Sequence, residues 1–179
     1  DEKEQNVSRY MAFEDGENKF RVLGSAITGM EYWVTEGEKR VPKRVHTGIS
    51  VPIDQLEENP KTGELDMPKY FWAFPVFNYA ESRVQILEIK QKTIRQAMKS
   101  LINNPKWGDP KGYDLTVTRI TEKSKTSYPS VTPDPKEEID EAILKEYNSL
   151  SINLNALYEG KDPFVQITED VDLDEVSEG

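Results

Sequence analysis

The sequence predicts a mainly β chain, a five-stranded Greek-key barrel with one helix between the third and fourth strands, then a C-terminal helix and an acidic tail. Three observations carry this. Short runs rich in aromatic and β-branched residues recur through the first three quarters of the chain, separated by turn residues. One stretch, 90–104, repeats its apolar residues at helical spacing. The charge is also split. Residues 1–133 hold 20 Lys and Arg against 19 Asp and Glu, residues 134–158 hold 2 against 6, and residues 159–179 hold 1 against 8.

Phe20-Arg21-Val22-Leu23 opens the first strand, and the run Ile27 to Val34 continues it past a bend at Gly24-Ser25. A long first strand bent at small residues is a corner device of small barrels. Glu36 to Arg40 reads as a turn, and Pro52 to Pro68, with Asn59-Pro60-Lys61-Thr62-Gly63, as a polar insertion. Tyr70-Phe71-Trp72-Ala73-Phe74-Pro75-Val76-Phe77-Asn78-Tyr79 carries aromatics on both parities, so both faces of this strand are expected to be covered. Ala80-Glu81-Ser82 turns the chain into Val84 to Ile89. Ile94, Ala97, Met98, Leu101 and Ile102 form one stripe of a helix that Asn103-Asn104-Pro105 ends. Trp107 to Gly112 is a loop, with Trp107 expected to lid the barrel beside the helix, the other reading being that it reaches a base from the loop. Tyr113 to Arg119 alternates as a strand, and a last strand falls around Tyr128 to Thr132. This order of elements is that of the oligonucleotide-binding (OB) barrel. Beyond it, Ile139, Ile143 and Tyr147 predict a helix over 137–147, with Asp134 as N-cap and Pro135 in its first turn. Asn153 to Tyr158 can add one more turn.

The expected organisation is a flexible N-terminus at 1–8, the barrel at 9–133, a helical extension at 134–158 and an acidic, disordered tail at 159–179. No apolar run reaches 18 residues and no signal-peptide core is present, so the expectation is a soluble cytoplasmic chain without membrane contact. Without cysteine there is neither a disulfide nor a thiolate metal site.

Catalysis finds no support in the residue types. His46 is the lone histidine, read as a surface or strand-edge side chain. Asp170-Val171-Asp172-Leu173-Asp174 begins like a calcium loop but has Glu175 where that loop needs glycine, and it lacks the distal bidentate Glu. No metal, cofactor or catalytic residue is assigned.

Nucleic acid fits better. From Arg83 to Lys125 there are 10 basic residues against 4 acidic ones. Single strands are held by stacking bases on rings beside positive charge, about 1–3 kcal/mol per stacked base. The candidate DNA-binding residues are the rings Tyr32, Trp33, Tyr70, Trp72 and Phe74 and the cations Arg40, Lys43, Arg44, Lys69, Lys90, Lys92 and Arg95. Strand alternation divides the aromatic segment: with Phe71, Ala73 and Phe77 inward, Tyr70, Trp72 and Phe74 point out.

The segments Tyr70 to Asn78, Val84 to Ile89 and Trp107-Gly108-Asp109-Pro110 followed by Tyr113 to Arg119 resemble the OB-fold single-stranded-DNA-binding proteins of tailed bacteriophages, over about residues 8–133. The resemblance implies a protein that coats unwound DNA during replication, recombination or repair in the host cytoplasm, with an acidic tail that recruits polymerase or helicase and competes with DNA. The tail departs from the pattern by ending on Gly179, and Lys161-Asp162-Pro163-Phe164, similar to the ending of bacterial relatives, lies internally. Homodimerisation stays open. Two other readings remain: an OB-fold protein-interaction module whose acidic region mimics DNA, and a carboxylate-dependent nuclease.

Overall fold

Gly24, Ser25 and Ala26 divide the first long strand signal in two. In the computed structural model, which describes residues 8–164, β1 spans Gly16–Val22 and β2 spans Ile27–Glu36. Both run antiparallel to β4, Lys69–Asn78. β1 takes the second half of β4, with Val22 opposite Val76, and β2 takes the first half, with Met30 opposite Tyr70. They form one bent path along a single edge of β4. At the bend the Leu23 N–H donates to the Pro75 carbonyl at 2.9 Å. A side chain at position 24 would meet the Tyr147 hydroxyl at 2.5 Å and the Pro75 ring at 3.0 Å, so a larger residue would have to displace the Tyr147 side chain.

The sequence predicts five strands; the sheet has seven. One addition is this division. The other is β3, Lys39–His46, which pairs with β2 across a hairpin at Gly37, φ 64°. Its sequence, Lys-Arg-Val-Pro-Lys-Arg-Val-His, hides the strand because charged residues and proline are what edge strands carry. β5, Arg83–Ile89, lies on the other edge of β4, whereas β6, Asp114–Glu122, pairs with β1 and β7, Lys125–Pro133, with β6. The β6–β7 turn uses Lys123 and Ser124 at φ 49° and 66°, the left-handed pair of a two-residue hairpin.

The sheet does not close: no ladder joins β5 to β7 among the described residues. The N-terminal segment sits between them. Met11 N–H donates to the Ile86 carbonyl and Ile86 N–H to the Arg9 carbonyl, each at 2.9 Å. The Phe13 ring then lies 5.9 Å from Tyr128 of β7.

Helix α1, Lys92–Ile102, joins β5 to β6 and turns Ile94 and Met98 inward. They complete the main core with Phe20 and Val22 of β1, Phe74 and Val76 of β4, Leu87 and Ile89 of β5, and Leu115 and Val117 of β6. Trp107 is half-buried against this core, its ring 5.6 Å from Tyr113. Helix α2, Glu141–Ser149, starts later than predicted. Its N-cap is Asp140, whose carboxylate accepts from the Ala142 N–H at 2.8 Å. Asp134 is engaged elsewhere, pairing with Lys19 at 3.2 Å while its N–H donates to the Asp114 carbonyl. Glu137 N–H likewise donates to the Gly112 carbonyl, so 134–137 is tied to the sheet before a helix can start.

Past α2 a 3-10 turn at Leu154–Glu159 leads to Phe164, which bridges to Ile152. Ile152, Leu154, Leu157, Tyr158 and Phe164 lie on Phe71, Ala73 and Ile86 as a second apolar cluster. Within the stretch assigned to the acidic tail, 159–164 continues this docked segment; 165–179, like 1–7, lies outside the described residues. Among the described residues no helix is long and apolar enough to cross a membrane.

Candidate nucleic-acid interface

β4 is covered on both faces, as its aromatic pattern predicts, but the faces are assigned the other way round. Trp72, Phe74 and Val76 turn toward the main core, whereas Phe71 and Ala73, both with no exposure, lie under the segment 152–164. Alternation alone treats the two parities alike. What decides between them is that α1 closes over one face and the C-terminal segment over the other.

Phe74 is therefore core, 2 % exposed, and offers no ring to a base. Tyr32 is also buried: its hydroxyl donates to Gln55 at 3.1 Å, under the 52–66 insertion. Trp33 is 38 % exposed but sits on the β2–β3 arm, opposite Pro42 and away from α1. Four of the predicted cations are already neutralised by acids. Arg40 pairs with Asp66 at 3.2 Å, Lys43 with Glu36 at 2.6 Å and Lys90 with Glu31 at 2.7 Å. Arg44 holds both Glu31 at 2.9 Å and Glu88 at 3.0 Å, and its guanidinium lies over the Phe71 ring. Burial works against its charge, yet the two carboxylates hold Arg44 more firmly protonated than a free guanidinium. This cluster is a structural clamp across β2, β3 and β5.

Except for Lys69, the remaining residues come together. Tyr70 (54 % exposed) and Trp72 (half-buried) lie two positions apart on one face of β4. On α1, Arg95 lies over the Tyr70 ring, 5.4 Å from its centroid, and Lys99 lies 5.9 Å from the centroid of Trp72. The match is geometric. Four residues of helix rise about 6 Å, and two residues of strand advance about 6.6 Å. Lys92, in the first turn of α1, is exposed, and so is Lys69, which strand alternation turns to the opposite face of β4 from Tyr70. Among the described residues none of Lys69, Lys92, Arg95 and Lys99 forms a salt bridge, in contrast to the cations of the β2–β3 arm. The Arg95 Nε is buried without a hydrogen-bond partner, so its guanidinium still has an unused donor.

Beyond Trp72 the surface deepens into a cleft of about 390 Å³ between the 24–26 bend, α1 and the 109–111 loop. Trp72 and the edge of Phe74 line it from β4, Lys99 from α1, and Asp109 and Lys111 from the loop. Lys99 and Lys111 were absent from the predicted set. Lys99 was legible as the residue one helical turn beyond Arg95; Lys111 was not, because only the fold brings its loop to β4. No family model matches the chain, and no curated protein matches it either. The arrangement can stack planar rings on Tyr70 and Trp72 and neutralise a chain of negative charge along α1.

Proposed function

We propose that this protein binds single-stranded DNA without sequence preference, as a coating protein of replication, recombination or repair. The observation that carries this is the double row of Tyr70–Arg95 and Trp72–Lys99, rings and cations in register, with neither cation in a salt bridge among the described residues. Stacking is tolerant of base identity because every base has a π-face, and phosphate neutralisation makes affinity fall with salt. The element order supports an OB reading of the sheet. With β1 and β2 counted as one bent strand and β3 set aside as an added arm, five strands remain with α1 between the third and fourth. On this reading the acidic tail recruits a polymerase or helicase. The test is fluorescence anisotropy of labelled oligo-dT and of a duplex of equal length across a salt series. Oligo-dT should bind and the duplex far less, with a log–log salt slope of about −0.7 per phosphate contacted. Equal binding of both, or a flat salt response, would remove the proposal.

A second reading, a protein-interaction module, is favoured by one feature: Ile49, Ile53, Leu65 and Met67 are exposed around the insertion. It predicts no response to oligo-dT in the same titration.

A further inference from the structure

We infer that the cleft beside Trp72 is a seat for a single nucleotide, in which one base leaves the path along α1 and enters the fold. This rests on the single-strand reading and adds a specific subsite to it. The cleft, about 390 Å³, is within the range of roughly 300–1,000 Å³ typical of small-ligand sites. Its chemistry divides cleanly. The aromatic surface is that of Trp72, and Val22, Phe74, Met98 and Ile102 add apolar lining. Charge stands on the α1 and 109–111 walls, where Lys99, Lys111 and one carboxylate, Asp109, are exposed. Lys111 is 3.6 Å from Asp109, so Lys99, which has no salt bridge among the described residues, is the cation available to a phosphate. A flat apolar ring bearing an anionic group suits such a site; a metal ion or a sugar alone does not.

The space has a specific origin. The bend at 24–26 is built from residues with almost no side chain, and Gly24 packs closely against Tyr147 and Pro75. Ser25 and Ala26 are exposed, line the cleft and leave it empty of side chain. Larger residues there would fill it. The ring of Trp72 is shared, with one part packed against the main core and the rest facing the cleft under Lys99. A base entering the cleft would continue the stack begun at Tyr70.

The test uses the full chain labelled with 15N and three probes: dTMP, thymidine and inorganic phosphate. dTMP should shift the amides of Ala26, Thr28, Lys99 and Lys111 and the indole N–H of Trp72. Thymidine should shift the same set with affinity lower by on the order of tenfold, for want of the charge-assisted contact. Inorganic phosphate should leave Trp72 unmoved. Ala26→Leu should abolish the dTMP response and leave the thermal midpoint unchanged, while Tyr70→Ala should keep it. Should Ala26→Leu fail to fold, the map of shifts on the unaltered protein still decides. dTMP shifts confined to Tyr70 and Lys92, or none at saturation, overturn the inference even where oligo-dT binds. dTMP in the cleft with no affinity for oligo-dT upholds the inference and removes the single-strand function instead.

Discussion

Trp72 and Phe71 are neighbours in sequence with opposite expected phenotypes. Trp72→Ala should cost about 1–3 kcal/mol of oligo-dT affinity, measured by anisotropy. It should also reduce stability somewhat, because part of the ring packs on the core. Phe71→Ala should leave DNA affinity intact and cost about 3–5 kcal/mol of stability, measured by denaturant unfolding. Its ring has no exposure and lies between Arg44 and Tyr158. Tyr79 gives a separate test through pH. Burial and its hydrogen bond to Asp114, at 2.7 Å, push the phenol well above its ordinary value of 10.0. The unfolded chain then ionises first as pH rises. The contribution of Tyr79 is therefore complete below about pH 10 and is lost as pH climbs toward the folded value. Stability measured from pH 8 to 11 should fall more steeply in the natural chain than in Tyr79→Phe.

At the scale of elements, α1 and the β2–β3 arm hold similar numbers of cations and use them differently. Arg40, Lys43 and Arg44 of the arm face carboxylates, and the centre is half-buried Arg44 between buried Glu31 and half-buried Glu88 of β5. Arg44→Met should destabilise by about 3–5 kcal/mol, because two carboxylates lose the charge that compensates them. It should change the salt slope of DNA binding little. Lys99→Ala on α1 should do the reverse: stability nearly unchanged, and the slope reduced in magnitude by about 0.7. If Arg44→Met, refolded and purified, loses DNA affinity as strongly as Lys99→Ala does, the division of labour between the two elements is wrong. Gly29 belongs to this scale too. An added methyl there would run into the Val45 carbonyl of β3, and backbone cannot move aside cheaply, so Gly29→Ala should pry the arm from the sheet.

For the whole molecule, charge is distributed so that a protein of net −10 still presents a cationic helix. Residues 168–179 hold six acidic side chains and no basic one. A tethered polyanion competes at high effective concentration even if each contact is weak, which is the basis of the proposed competition with DNA. Screening acts within about 10 Å at 0.1 M salt. Deleting 168–179 should therefore tighten oligo-dT binding at low ionic strength, change little at high ionic strength, and leave the thermal midpoint in place. A truncation reaching back to Leu150 should behave differently. It removes the cover of Phe71, Ala73 and Ile86 and should lower the midpoint and expose a dye-binding apolar surface.

How much of this was legible depended on whether the signal was local. Strand, turn and helix positions came through where periodicity and turn chemistry act within a few residues: the bend at Gly24, the hairpin at Ala80 to Ser82, and α1 within two residues at each end. The coverage of both faces of β4 was readable because no strand leaves that many rings to water. β3 was not readable, since the residues that protect an edge strand resemble those of a loop. Nor was the start of α2, where contacts to Asp114 and Gly112, far away in sequence, outcompeted a well-placed Asp134. The tertiary structure alone decided which parity of β4 meets the main core and which cations stay unpaired. Alternation is symmetric between faces, and a count of charges along the chain holds no distances. Glu31, Arg44, Glu88 and Lys90 are scattered over sixty positions, and only the pairing of β2 with β3 and β4, and of β4 with β5, brings them together.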